Sequence, residues 1–136
     1  MIYTSSLDKV SADMLHGFFV GWMEHPDVHT HLQLLKNSYK AFLAIDDKEN
    51  RIAGFITAIS DGVLSAYIPL LEVLPEYQNN GVGKELVLHM LEELNCFYMI
   101  DLMCDQDLVP YYEKLGLVKA NGMIARNYGI QSGKIN

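Results

Sequence analysis

Tyr77–Leu86 reads YQNNGVGKEL. Two glycines stand one residue apart, a lysine follows, and an apolar helical period starts at Val82. The first backbone amides of a helix have no partner inside it, and the partial positive charge there suits phosphate oxygens. Gly81 and Gly83 let a ligand approach the backbone closely. Two familiar phosphate loops fail here. A Walker A loop needs a glycine at position 78 and a hydroxyl after Lys84, but the residues are Gln78 and Glu85. A dinucleotide fingerprint needs a third glycine three residues beyond Gly83, and Leu86 stands there. What stays is Gln78-x-x-Gly81-x-Gly83 between a strand and a helix, read either as a diphosphate seat or as a plain glycine turn.

The flanks define the fold class. Downstream, Val82, Leu86, Val87, Met90, Leu91 and Leu94 form one helical stripe. Upstream, Leu64–Leu74 is apolar enough for a central strand buried on both faces, and Pro69 within it predicts a bulge or break. Tyr39–Ile45 and Ile52–Ile59 around DDKEN predict a hairpin, and Asp61-Gly62 the next turn. Ile2–Ser5 predicts a short first strand. Ser11–Val20 and Asp27–Lys36 have helical spacing. Cys96–Met103 predicts a strand, and Asp107–Leu115 a short helix closed by Gly116 and Leu117. Asn121-Gly122 predicts a hairpin of Leu117–Ala120 with Met123–Tyr128. The order is β-α-α-β-β-β-α-β-α-β-β, a mixed α/β class. Residues 1–128 are expected to form a single domain and 129–136 a frayed tail.

Composition narrows the function. The chain has 136 residues, half of them hydrophobic, which suits one soluble domain. A net charge of −7 argues against broad nucleic-acid binding and tolerates a cationic acceptor. The start, MIYTSSLDKV, lacks a secretory pattern, and no run of about 18 apolar residues predicts a membrane span. Cys96 and Cys104 fit no zinc or redox spacing. These features predict a cytoplasmic, reduced protein. His25, His29 and His31 invite a metal reading, but nothing completes a familiar ligand set. They are read as a solvated helix face, with no metal.

Leu71–Gly83 (LEVLPEYQNNGVG) resembles motif A, V-x-P-x-[YF]-[QR]-x-x-G-x-[GA], of the GNAT superfamily of acetyl-CoA-dependent N-acetyltransferases. Tyr111–Leu117 (YYEKLGL) resembles its motif B, [FY]-Y-x-[KR]-x-G-[FLM]. Both occur in the family's order with a strand between them. The resemblance implies a mostly antiparallel sheet flanked by helices, with splayed central strands opening a slot between Tyr67–Val73 and Tyr98–Cys104. It implies acetyl-CoA as co-substrate. Its diphosphate would lie on Gln78, Asn79, Asn80, Gly81, Val82, Gly83 and Lys84, and its pantetheine beside Leu71 and Val73. Positions 79 and 80 are often basic or glycine in the family; here both are Asn.

The resemblance also implies roles. The Val73 N–H would meet the acetyl carbonyl oxygen. Tyr112 would be the general acid, a phenol with an ordinary pKa near 10. Tyr111 and Tyr112 could equally form an aromatic packing face. The base stays open among Tyr67, Glu72, Asp101 and a water chain, with Asp101 favoured as a structural carboxylate. Cys104 is expected to lie near the slot without covalent duty. Trp22 and Tyr67 would border the acceptor pocket. The implied reaction is direct attack by a primary amine of a small molecule or peptide. A non-catalytic acyl-CoA-binding or regulatory module is the other reading, and homodimerisation through edge strands stays open.

Overall fold

Alternation along two neighbouring strands places the sheet between two apolar layers. Ala41, Leu43 and Phe55 face one layer with Met14, Leu15, Phe18, Phe19 and Leu35. Ala44, Ile56 and Ala58 face the other, with Val82, Leu86, Val87, Met90 and Leu94. The middle strand is therefore buried on both faces, as its unbroken apolar run requires.

The computed structural model describes residues 1–134. The regular elements are β1 (Ile2–Thr4), α1 (Val28–Asn37), β2 (Lys40–Asp46), β3 (Arg51–Ser60), β4 (Ser65–Val73), α2 (Val82–Glu93), β5 (Met99–Leu102) and α3 (Val109–Glu113). The strands form one sheet in the order β1-β2-β3-β4-β5. Every pair is antiparallel except β4–β5. This is the mixed, mostly antiparallel α/β sheet expected, with helices on both faces.

Pro69 acts as expected. Across β3–β4, Thr57 faces Leu70 and Ile59 faces Tyr67, so Ile68 and Pro69 bulge opposite Ala58. On its other side β4 pairs with β5 only from Ser65–Met99 to Ile68–Leu102. Proline has no N–H to continue that ladder, and β5 ends there. β4 runs on to Val73 with no strand opposite, and the central strands splay.

Gly54 brings α2 close to this point. A Cβ there would lie 3.1 Å from both the Glu72 carbonyl oxygen and Leu86 Cδ1, and 3.2 Å from Val73 Cγ2. With hydrogen in its place, the first turn of α2 packs against the end of β4.

Four expectations need correction. Ser11–Val20 is not one helix: only Ala12–Leu15 forms a 3-10 turn. Gly17, Phe19 and Gly21 take φ of 94°, 64° and 85°, which no helix accommodates. Leu117–Asn127 forms no hairpin; apolar Val118 and Met123 there are almost fully exposed. Asp101 is exposed on β5, whose outer edge pairs with no strand among the described residues, so it needs no buried partner. The tail expected to fray is docked up to Lys134. Tyr128–Ile130 makes a 3-10 turn, the Glu24 N–H donates to Gln131 Oε1 (3.2 Å), and Lys134 pairs with Asp27. The last two residues of that tail lie outside the described residues.

Candidate active site

The slot beside the end of β4 is lined by exposed main chain. The Leu74 N–H donates to the Ala53 carbonyl (2.9 Å), while Val73 stands opposite Gly54. Hydrogen-bonding direction alternates along an antiparallel pair, so Val73 turns its N–H and C=O away from β3, toward the gap beyond β5. Leu71, opposite Ile56, repeats this orientation two residues earlier. The Val73 carbonyl is taken by Gln78 Nε2 at 3.0 Å. The Val73 N–H is thus aimed into the slot on a bracketed piece of backbone.

The glycine loop is stapled at its start. Tyr77 donates its hydroxyl to Asp46 at 2.7 Å, and Arg51 pairs with Glu76 at 3.0 Å, both reaching the β2–β3 hairpin. Asn80 Nδ2 donates to the Gln78 carbonyl at 3.1 Å, bracing the loop from within. Asn79 and Gly81 have φ of 65° and 81°. Left-handed residues interleaved with ordinary ones make successive amides converge, the geometry of an anion-binding nest. Gly81 is the residue just before α2, and open space lies above it. The first amides of α2, at Val82, Gly83 and Lys84, follow directly. Exposed Lys84 is in no ion pair among the described residues. These residues fit a diphosphate held mainly by backbone amides.

Tyr112 projects into the same space from α3. The helix ends in a double closure: the Gly116 N–H donates to the Glu113 carbonyl (3.1 Å) and the Leu117 N–H to the Tyr112 carbonyl (3.2 Å). Gly116 takes the left-handed conformation this needs, at φ 95°. The motif Tyr112-x-x-x-Gly116-Leu117 therefore fixes the backbone that carries the phenol. Burial above all, with charge interactions from Tyr111 and Cys104, pushes its pKa up to about 12. The phenol stays protonated at any physiological pH.

Glu72 completes the wall. Its Oε1 accepts the Phe19 N–H at 2.8 Å and its Oε2 the Val20 N–H at 3.3 Å. These bonds hold Phe19 in its left-handed conformation and lock the carboxylate's orientation. The resulting cavity, about 630 Å³, is lined among others by Trp22, Glu72, Val73, Gln78, Cys104 and Tyr112. One hollow thus contains an aimed amide, a buried phenol and an anchored carboxylate, with Gln78 of the glycine loop on its wall.

A model described as the acetyltransferase (GNAT) family matches residues 7–117. The chain belongs to the GNAT family. It is 31% identical over 104 residues to the uncharacterized N-acetyltransferase ycf52 of Pyropia yezoensis, covering 74% of this chain and 59% of that protein. The chain thus spans about three fifths of that relative's length. A candidate acetyltransferase from Deinococcus radiodurans R1 superposes with a TM-score of 0.94 at 41% identity, covering 99% of this chain and 94% of that one. A GNAT structure from Xanthomonas campestris pv. campestris gives a TM-score of 0.76 at 18% identity over 96% of each chain, a likeness of fold.

The hollow draws together some, not all, of the residues read from sequence. Trp22 and Glu72 share the hollow with Val73 and Tyr112. Tyr67 does not. It lies before the Pro69 bulge, where β4 is still paired on both edges, opposite Ile59 and Asp101. It lines a separate hollow with Leu91, Tyr98 and Leu115, so it does not border the pocket with Trp22. His31 also departs from expectation. It is buried against Phe18, Phe19 and Phe55, while His25 and His29 are exposed. Burial lowers its pKa to about 4.

Sequence reasoning missed several contributors. The Gln78 side chain brackets Val73, and the Phe19 and Val20 amides anchor Glu72. Ile124 and Arg126 also line the cavity, from the segment misread as a hairpin. A lone arginine inside an otherwise apolar stretch was the available signal.

Proposed function

We infer that this GNAT protein transfers an acetyl group from acetyl-CoA to a primary amine of a small molecule or peptide by direct attack. The observation that carries this is the convergence of the Val73 amide, the Tyr112 phenol and the Glu72 carboxylate on one cavity adjoining the glycine loop. Acetyl-CoA supplies the acetyl group in activated form, as a thioester.

The protein's own groups do the rest. Amides from Gln78 to Lys84 hold the diphosphate, aided by the helix N-terminus. Leu71 and Val73 offer a strand edge to the pantetheine amides. The Val73 N–H donates to the acetyl carbonyl oxygen and stabilises the charge that develops there. Glu72, next to Val73 in the chain, attracts the incoming ammonium and accepts its proton. Tyr112 holds a proton at its hydroxyl and gives it to the departing sulfur. A phenol raised to about 12 is a weaker acid than a thiol, so handing its proton to a free thiolate runs uphill. The transfer is therefore concerted with sulfur departure, where the developing charge lowers its cost.

The test joins a binding measurement to a turnover measurement. Calorimetry should show stoichiometric coenzyme A binding, and a panel of primary amines should include acceptors that release thiol from acetyl-CoA. Tight cofactor binding with no turnover across the panel would make this a binding or regulatory module instead.

A further inference from the structure

The family match ends at residue 117, and the chain beyond it contributes Ile124 and Arg126 to the cavity wall. This strap is tied at both ends. It leaves α3 through the Leu117–Tyr112 cap bond (3.2 Å). It passes so close to Met103 that a Cβ on Gly122 would lie 2.8 Å from the sulfur. It then docks beside α1 through Gln131 on the Glu24 amide, Gly133 against Thr30, and Lys134 on Asp27. Between these anchors, Ile124 and Arg126 reach the cavity wall.

The charges on that wall are unequal in how they are matched. Glu72 and Asp105 are its carboxylates and Arg126 its guanidinium. Glu72 is held by the Phe19 and Val20 amides. Arg126 is exposed and in no ion pair among the described residues; Nη1 donates to the neighbouring Ala125 carbonyl at a slack 3.3 Å. A guanidinium is a planar fork of donors that suits a carboxylate or a phosphate. The strap lands on Glu24, Asp27 and Thr30, just after Trp22 in the chain. The diphosphate seat from Asn79 to Lys84 is not part of this cavity's wall. Arg126 shares that wall with Trp22 and Glu72.

We propose that the acceptor is a small amine that also carries an anionic group, a carboxylate or a phosphate. Arg126 binds the anion while Glu72 faces the amine. This assignment rests on the acetyl-transfer reading above. It makes the strap the specificity element of the site, and Arg126 a binding residue rather than a group that moves protons.

The experiment uses matched acceptors. Amines bearing a carboxylate are compared with their neutral amides, and amines bearing a phosphate with the corresponding alcohols, by thiol release from acetyl-CoA. The wild type should favour the anionic member of at least one pair by about tenfold or more in kcat/KM, the value of one charge-assisted contact. Arg126→Met should erase that preference by raising KM for the anionic amine, leaving the neutral partner and the KM for acetyl-CoA unchanged. Arg126→Lys should restore part of it. The carboxylate and phosphate arms show which anion is meant. A preference that survives in Arg126→Met overturns the proposal, as does the absence of any preference in the wild type. A raised KM for acetyl-CoA alone would put Arg126 on the cofactor and also overturn it. If no amine turns over, the acetyl-transfer reading fails separately. The same pairs are then titrated calorimetrically into the coenzyme A complex, where equal affinities for anionic and neutral members reject the anion site.

Discussion

At the scale of single residues, the site depends on side chains that hold backbone in place. Glu72 is the clearest. Each of its carboxylate oxygens accepts an amide from the turn at Phe19 and Val20. Removing it in Glu72→Ala leaves both amides without their acceptor and releases a residue with φ of 64°. We expect a loss of about 1–3 kcal/mol in urea unfolding together with a large fall in kcat/KM for the amine. Glu72→Gln keeps one acceptor oxygen and should recover stability more than activity. Equal recovery of both would make Glu72 a structural brace alone. His31 carries a pH dependence of definite sign. Its imidazole is neutral in the fold and protonates only near pH 4, against an ordinary value of 6.5. Between those values the unfolded chain binds a proton that the native state refuses, so stability falls as pH drops across the window, by roughly 3 kcal/mol. His31→Leu should flatten that part of the curve, measured as urea midpoints at pH 7 and 4.5. Parallel curves for both proteins would contradict the assignment.

At the scale of elements, the loop from Leu74 to Gly83 does two tasks that sequence showed unequally. The glycines alone fit a plain turn as well as a diphosphate seat, and only the family resemblance pointed to the second. The loop's bracing was not legible: Tyr77 reaches Asp46 and Gln78 reaches the Val73 carbonyl. Such contacts depend on where the chain returns in space. Gly81→Val tests the loop. Open space surrounds the position, so the cost comes from φ of 81°, about 1–2 kcal/mol of local strain for a residue with a side chain. Coenzyme A affinity should drop while α2 and the core persist by circular dichroism. Unchanged affinity would mean the diphosphate sits elsewhere. The misread elements have physical causes too. The period of Ser11–Val20 is helical, but the Phe19 amide is claimed by Glu72, 53 residues away. Asn121-Gly122 is a strong local hairpin signal, yet the segment is held as a strap by its anchors at Leu117 and Lys134.

At the scale of the whole molecule, the sheet domain carries a cover over the cavity. The family match to residues 7–117 contains four of the five strands, the glycine loop, the slot and Tyr112. These parts were largely legible from sequence because motif residues and backbone geometry coincide there. The cover consists of the Phe19–Trp22 turn and the strap, and both were misread. The strap is exposed and carries no burial period, and both segments are positioned by contacts across the fold. Weakening the strap's dock should therefore affect the acceptor selectively. Lys134→Glu combined with Gln131→Ala removes the Asp27 pairing and the Glu24 amide contact. We expect a raised KM for the amine, an unaltered KM for acetyl-CoA, and a melting temperature within a few degrees of the wild type. A rise in both KM values would show that the strap supports the entire slot.

The most direct test of the central claim compares the wild type with Tyr112→Phe, following thiol release from acetyl-CoA as amine is added and coenzyme A affinity by calorimetry. Removing the hydroxyl should lower kcat by about 10²-fold or more and leave coenzyme A affinity unchanged. Equal kcat in the two proteins would contradict the assignment of the buried phenol as the acid of an acetyl transfer.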